Sequence, residues 1–115
     1  MSKDNNIDKE PWFSVRSLFF DEENGSYEER TILISATDHD DAIEQAEKEA
    51  KQYSASIGGI IYVGYSDSFH IFGEEIKSGT EIFSLIRKTD LAADEYINRF
   101  LDSGMENRQV KSVKE

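Results

Sequence analysis

The dipeptide Asn24-Gly25 lies between two runs of strand character, and no other feature restricts the fold as strongly. Both central residues of a type I′ turn need positive φ, which asparagine and glycine adopt most easily, so the pair predicts a two-residue hairpin turn. Upstream, "WFSVRSLFF" (12–20) alternates in part, with Phe13, Val15 and Phe19 on one side and Ser14 and Arg16 on the other. Downstream, "YEERTILISA" (27–36) supplies the second strand. A two-residue turn makes paired residue numbers sum to 49: Phe13 faces Ala36, Val15 faces Ile34 and Ser17 faces Ile32. Trp12, Arg16 opposite Leu33, and Leu18 opposite Thr31 then occupy the second face. The same register sets Asp21 against Glu28, an unfavourable like-charge pair, and so predicts a splayed, bulged or mobile tip.

Beyond the hairpin, "TDHDDAIEQAEKEAKQY" predicts a helix over 39–53. Thr37 or Asp38 serves as its cap, acids fill its first turn, and Ile43, Ala46, Ala50 and Tyr53 form a narrow small-residue face. "GGIIYVGYSDSFHIF" (58–72) reads as a third strand, bulged near Gly64. "GTEIFSLIRK" (79–88) reads as a fourth strand. "TDLAADEYINRFLDSG" reads as a second helix over 91–102, with Asp90 as cap, a stripe of Ala93, Ile97, Phe100 and Leu101, and Gly104 as the stop. The order β-β-α-β-β-α predicts an α+β fold, a four-stranded, mostly antiparallel sheet with helices packed on one face. Its expected core is Phe13, Val15, Ile32, Ile34, Ile43, Ala46, Ile97 and Phe100. The domain is expected over 11–104, between a flexible N-terminus (1–10) and a loose C-terminal tail (105–115).

Composition removes several chemistries. The 115 residues contain no cysteine, which excludes disulfides, thiolate metal sites and cysteine nucleophiles. The opening "MSKDNNIDKEP" resembles neither a signal nor a transit peptide, and the apolar runs are too short to span a membrane, so the expected location is cytoplasmic. The formal charge is −11. Residues 21–50 hold eleven acids against Arg30 and Lys48, a net of −9. Such a field repels nucleic acid and anionic lipid and attracts basic partners. The acidic patch expected to bind one comprises Asp21, Glu22, Glu23, Glu28, Glu29, Asp38, Asp40 and Asp41.

The stretch "YSDSFHIFGE" (65–74) has the residue types of a hydrolytic site, but strand geometry opposes one. Ser66, Ser68 and His70 point one way and Tyr65, Asp67 and Phe69 the other, so Asp67 cannot orient His70. No nucleophile elbow is present. Asp38, His39, Asp40 and Asp41 are metal-ligand types that capping explains equally well. "DEENG" has its glycine one position early for a calcium loop. Gly58, Gly59 and Gly64 match neither a dinucleotide fingerprint nor a P-loop. No metal, no cofactor and no enzymatic activity are therefore expected. The remaining signal is the sheet face away from the helices, an alternative site comprising Trp12, Arg16, Asp67 and His70. The pattern leaves open whether Tyr65 with Asp67, or Ser68 with His70, shares that face.

Taken together, "WFSVRSLF", "YEER", "DDAIEQAEKEA", "GYSD" and "GTEIFSLIR" resemble a family of small bacterial proteins classed as a domain of unknown function, over roughly residues 11–88. The matching positions include Trp12, Arg16, Glu28, Glu29, Arg30, Gly64, Asp67, Glu81, Ser84 and Arg87. The resemblance implies a bacterial α+β domain and carries over no catalytic residue. The expected function is a non-enzymatic acidic protein-binding module, an immunity-type or antitoxin-like inhibitor of a basic bacterial effector. The alternative is a small ligand-binding or enzymatic domain using the face around Trp12 and Arg16. Oligomeric state is not legible.

Overall fold

Strands β1 (Trp12–Asp21) and β2 (Ser26–Ser35) form the expected antiparallel hairpin in the computed structural model, which describes residues 11–73 and 75–107. The expected flexible segment 1–10 and tail residues 108–115 lie outside the described residues. The register differs from the one the turn dipeptide implied. Phe13 faces Ile34, Val15 faces Ile32 and Asp21 faces Ser26, so the loop is the four residues Glu22–Gly25. Asp21 closes it: its carboxylate accepts the Asn24 backbone N–H at 3.2 Å and the Asn24 side-chain amide at 2.7 Å. Gly25 takes the positive φ of 63° that ends the turn. The two-residue slide removes the Asp21–Glu28 repulsion, and because side chains alternate with period two it leaves every residue on its predicted face.

Helix α1 (His39–Ile57) follows. Asp38 caps it by accepting the Asp41 N–H at 2.8 Å, while Asp41 reaches back to the Thr37 N–H at 3.0 Å. That backbone hydrogen bond is the main reason the Asp41 carboxyl lies below its ordinary value. Gly58 ends the helix at φ 76°, its N–H bonded to the Ser54 carbonyl. The buried stripe is Ala42, Ala46 and Ala50 rather than one including Ile43, which is only half-buried. Alanine at i, i+4 and i+8 lets the helix axis approach the sheet closely, and Ile43 is rotated toward the margin.

Strand β3 (Ile60–Ile71) pairs antiparallel with β1, giving the sheet order β2-β1-β3. Its register shifts between Ser17 and Phe19, opposite the bulge where Gly64 adopts φ 94°. β2 and β3 therefore run parallel on either side of β1, joined by α1, which lies over β1 and β3 more than over β2. Phe13, Val15, Ile34, Ala36, Ala42 and Ala46 form the core beneath the helix, with Ile32 packed against it. Phe19 is buried at the tip end against Tyr53 and Tyr62, with ring centroids at 5.1 and 5.7 Å.

Residues 79–88 do not form the expected fourth strand, and among the described residues the sheet has three. Residues 80–84 lie against the outer face of the sheet instead of pairing along the edge of β2 or β3. The Ser14 hydroxyl donates to the Ile82 carbonyl, and Phe83 packs against Phe69 at 5.9 Å. The alternation of "EIFSL" thus serves face-on packing rather than a ladder.

The chain divides into two units, one ending at Ser84 and the other beginning at Leu85. In the second, the expected helix is shorter and irregular: α2 (Ala93–Tyr96) passes into a π turn (Ile97–Leu101) closed by the Asp102 N–H to the Ile97 carbonyl at 2.8 Å. Asp90 is not its cap; Ala92 holds that position without a side-chain hydrogen bond. Neither Ile97 nor Phe100 is a buried core residue: Ile97 is half-buried and Phe100 exposed. Arg87 lies 4.4 Å from the Phe100 ring centroid and bonds the Tyr96 hydroxyl at 3.0 Å. None of the described helices is long and apolar enough to cross a membrane.

Candidate functional site

Pairing settles which side of β3 faces the helix. Ser66, Ser68 and His70 oppose Ser17, Val15 and Phe13, whose side chains lie under α1. Ser17 and Ser66 hydroxyls bond at 2.7 Å, and Tyr62 joins the same oxygen at 2.7 Å. Ser68 meets Nδ1 of His39, at the first position of α1. His70 stacks on Phe13 at 5.1 Å, and His39 meets the same ring edge-on at 5.0 Å. Both histidines thus gather on one phenyl ring from distant parts of the chain. The Ser68–His39 contact is not one that strand alternation reveals, because it needs the helix start to pass over β3. Among the described residues no carboxylate bonds either imidazole, and no group of three or more metal-ligand side chains converges.

The opposite, outer face carries Arg16, flanked by Thr31 on β2 and Asp67 on β3. Arg16 donates to Oδ2 of Asp67 at 2.7 Å and more weakly to Glu29 at 3.5 Å, with the Phe83 ring 5.0 Å from its guanidinium carbon. Tyr65 donates to the same Asp67 oxygen at 2.8 Å. The hydrogen bond to Asp67 raises the Arg16 pKa further above its ordinary value, and the bond from Tyr65 to Asp67 raises the phenol's. Asp67 Oδ1 is buried and accepts from no described donor. Of the four residues considered for this face, Arg16 and Asp67 are in contact. Trp12 is on the same face at the far end, opposite Ser35 and Ile71, and His70 lies on the other side of the sheet.

The tip half of the outer face is apolar and open. Tyr27, Phe20 and Ile61 form a row across all three strands, Tyr27 66% and Ile61 48% exposed, with the Phe20 and Tyr27 rings 4.8 Å apart. Val63 and Tyr65 extend the row along β3, each about half exposed. Pairing arithmetic could have found Tyr27 and Ile61 on this face, but not that they stay uncovered.

The eight acids do not form one surface. Asp21 is held in the turn, and Asp38 and Asp41 cap α1 at the other end of the hairpin. Glu28 points under the helix, accepting the Tyr53 hydroxyl at 3.0 Å, which raises that phenol's pKa. Glu29 faces Arg16 from the outer side. Glu22 and Glu23 project at the tip beside the Tyr27 row, while Asp40 is exposed at the helix start. Comparison with protein-family models, with curated proteins and with solved structures found no match.

Proposed function

We propose that this protein is a binding module for another protein, engaged through the tip half of the outer sheet face. The observation that carries the reading is the row of exposed Tyr27 and Ile61 flanking half-buried Phe20, continued by exposed Val63 and Tyr65. Aromatic and aliphatic side chains held rigid on a sheet cost little conformational entropy on binding and are the types that dominate interface energetics. Glu22, Glu23 and Glu29 rim the row, so the complementary partner has an apolar centre and a basic border. A second copy of this chain, at −11, is disfavoured by its own charge. The narrower form of the reading is an immunity- or antitoxin-type inhibitor of a basic bacterial effector, with the charge supplying fast encounter and the apolar row the residence time.

A ligand site at Arg16 and Asp67 is the second reading, favoured by the buried, unsatisfied Asp67 Oδ1. It ranks lower because Asp67 already pairs with the Arg16 guanidinium at 2.7 Å and Phe83 packs over it.

The test uses the full chain as bait, compared with Tyr27→Ser/Ile61→Ser and with Glu22→Lys/Glu23→Lys, each checked for fold by circular dichroism. Once a basic partner is captured, the apolar variant is expected to speed dissociation at least about tenfold. The charge variant is expected to slow association and flatten its salt dependence. Binding untouched by the apolar variant, but lost in Arg16→Ala, would transfer the site to the second reading.

A further inference from the structure

The sheet order leaves β2 with one paired edge and one open edge. Three properties of that open edge bear on what can use it. It is regular over its whole length: the β1–β2 register runs from Trp12–Ser35 to Asp21–Ser26 without a shift, and β2 contains neither proline nor glycine. β3, the other edge strand, is interrupted by the Gly64 bulge. From Tyr27 to Leu33, no described segment pairs with β2 on its outer side, and α1 lies mainly over β1 and β3. A long, straight, unblocked edge is a template for another strand.

Charge decides which strand. In antiparallel self-pairing about a two-fold axis, residues on one face oppose one another, and the central residue opposes its own copy. Centring on Glu28, Glu29 or Arg30 brings like charges together. Centring on Thr31 places Glu29 against Leu33, Arg30 against Ile32 and Glu28 against Ile34 of the second copy, so the charged groups face aliphatic partners. Self-pairing is therefore penalised in the registers centred on 28–30, and the formal charge of −11 opposes a second copy in any register. A foreign strand with a lysine or arginine opposite Glu29 meets no such penalty, because the Glu29 carboxylate is 66% exposed and held by Arg16 only at 3.5 Å.

We propose that the partner adds an extended strand to the open edge of β2, with a basic residue opposite Glu29 and apolar residues opposite Tyr27 and Leu33. The added strand continues the sheet, and its outer-face side chains extend the apolar row that begins at Tyr27. Main-chain hydrogen bonds supply register and part of the affinity, and the alternate side chains supply selectivity. This rests on the binding-module reading and names how its partner docks.

The probe is a capped peptide of about nine residues, enough to span 27–33 with one residue over at each end, alternating threonine and valine with one lysine set to oppose Glu29. Controls carry glutamate at that position or N-methyl groups on the edge-facing amides. Amide hydrogen exchange is read residue by residue across 27–33, with β2 amides bonded to β1 as internal reference. At millimolar peptide, alternate amides on the open edge are expected to exchange about tenfold more slowly. The glutamate peptide is expected to protect clearly less, and the N-methylated one not at all. No slowing with the lysine peptide, or slowing that survives N-methylation, overturns strand addition. Equal protection by the lysine and glutamate peptides overturns the basic-partner assignment. Ile61→Ser, on the far strand, is expected to leave peptide protection intact while weakening the partner, so failure of the apolar-face reading is seen separately.

Discussion

Replacing Ala46 by leucine tests whether the alanine stripe sets the distance between helix and sheet. Ala46 is completely buried, between Ala42 and Ala50 on α1 and above the Phe13–Val15 stretch of the core. The substitution adds three carbons, and their transfer from water would contribute about 2.4 kcal/mol if room existed. A fully covered site offers none without lifting the helix or forcing rotamers, which costs about 1–3 kcal/mol beyond the forgone transfer gain. Lifting would also lengthen the contacts that tie α1 to β2, where Arg30 grips Glu49 at 2.6 and 2.8 Å. A net loss of about 2 kcal/mol is expected, lowering Tm by roughly 10 °C for a domain of this size. Urea unfolding followed by far-ultraviolet circular dichroism measures it, with Ala55→Leu on the exposed helix surface as a control for helix propensity. An A46L protein within about 0.5 kcal/mol of the parent would refute the close-packing account, since surface substitutions already reach that range.

A double-mutant cycle on Arg30→Met and Glu49→Gln is expected to return a coupling near 1 kcal/mol, the upper end for partly exposed pairs, weakening in high salt. Gly64→Ala is expected to cost about 1 kcal/mol by denaturant unfolding, because φ 94° suits only glycine comfortably, although no atom lies where the Cβ would go. Glu106 is held to about pKa 2 by the Ser103 hydroxyl and the Ser103 and Gly104 amides. A depressed carboxylate contributes above its ordinary value of 4.5 and loses that contribution as pH falls toward 2, so a carbon-detected titration should place its midpoint there, and Ser103→Ala should raise it.

How much of this was readable in advance depends on the kind of information each feature needs. The faces of β1 and β2 follow from alternation, and a two-residue slide in register leaves alternation unchanged; Phe13, Val15 and Ile34 were therefore placed correctly by a wrong turn. The slide itself depends on Asp21 closing the loop with Asn24, a side-chain choice that the Asn-Gly signal outranks in sequence. Residues 79–88 alternate like a strand, yet alternation alone does not distinguish a segment that pairs along an edge from one that packs face-on. On α1, Ile43 outweighs Ala42 in any hydropathy pattern, while the buried stripe is chosen by size. Arg16 and Asp67 both belong to the alternative sheet-face site expected from sequence, but their contact requires β3 to add beside β1 across the whole intervening helix. The split of the acids into capping, turn and tip groups was likewise hidden, because composition sums charges whose positions only the fold separates.

The placement of β1 between two strands that run parallel to each other governs the order in which the sheet can be assembled. The hairpin closes over a short loop and is available once Ser35 has left the ribosomal exit tunnel. The second ladder joins Trp12 to Ile71 and must wait for the whole of α1 and β3. During that interval on the ribosome β1 presents an unpaired edge rich in phenylalanine, a surface on which a second nascent chain can dock in place of β3. Exchange of β3 between two chains is therefore the misassembly this topology invites. Expression at a slower translation rate, which lengthens the interval, should raise the yield of the exchanged dimer rather than lower it.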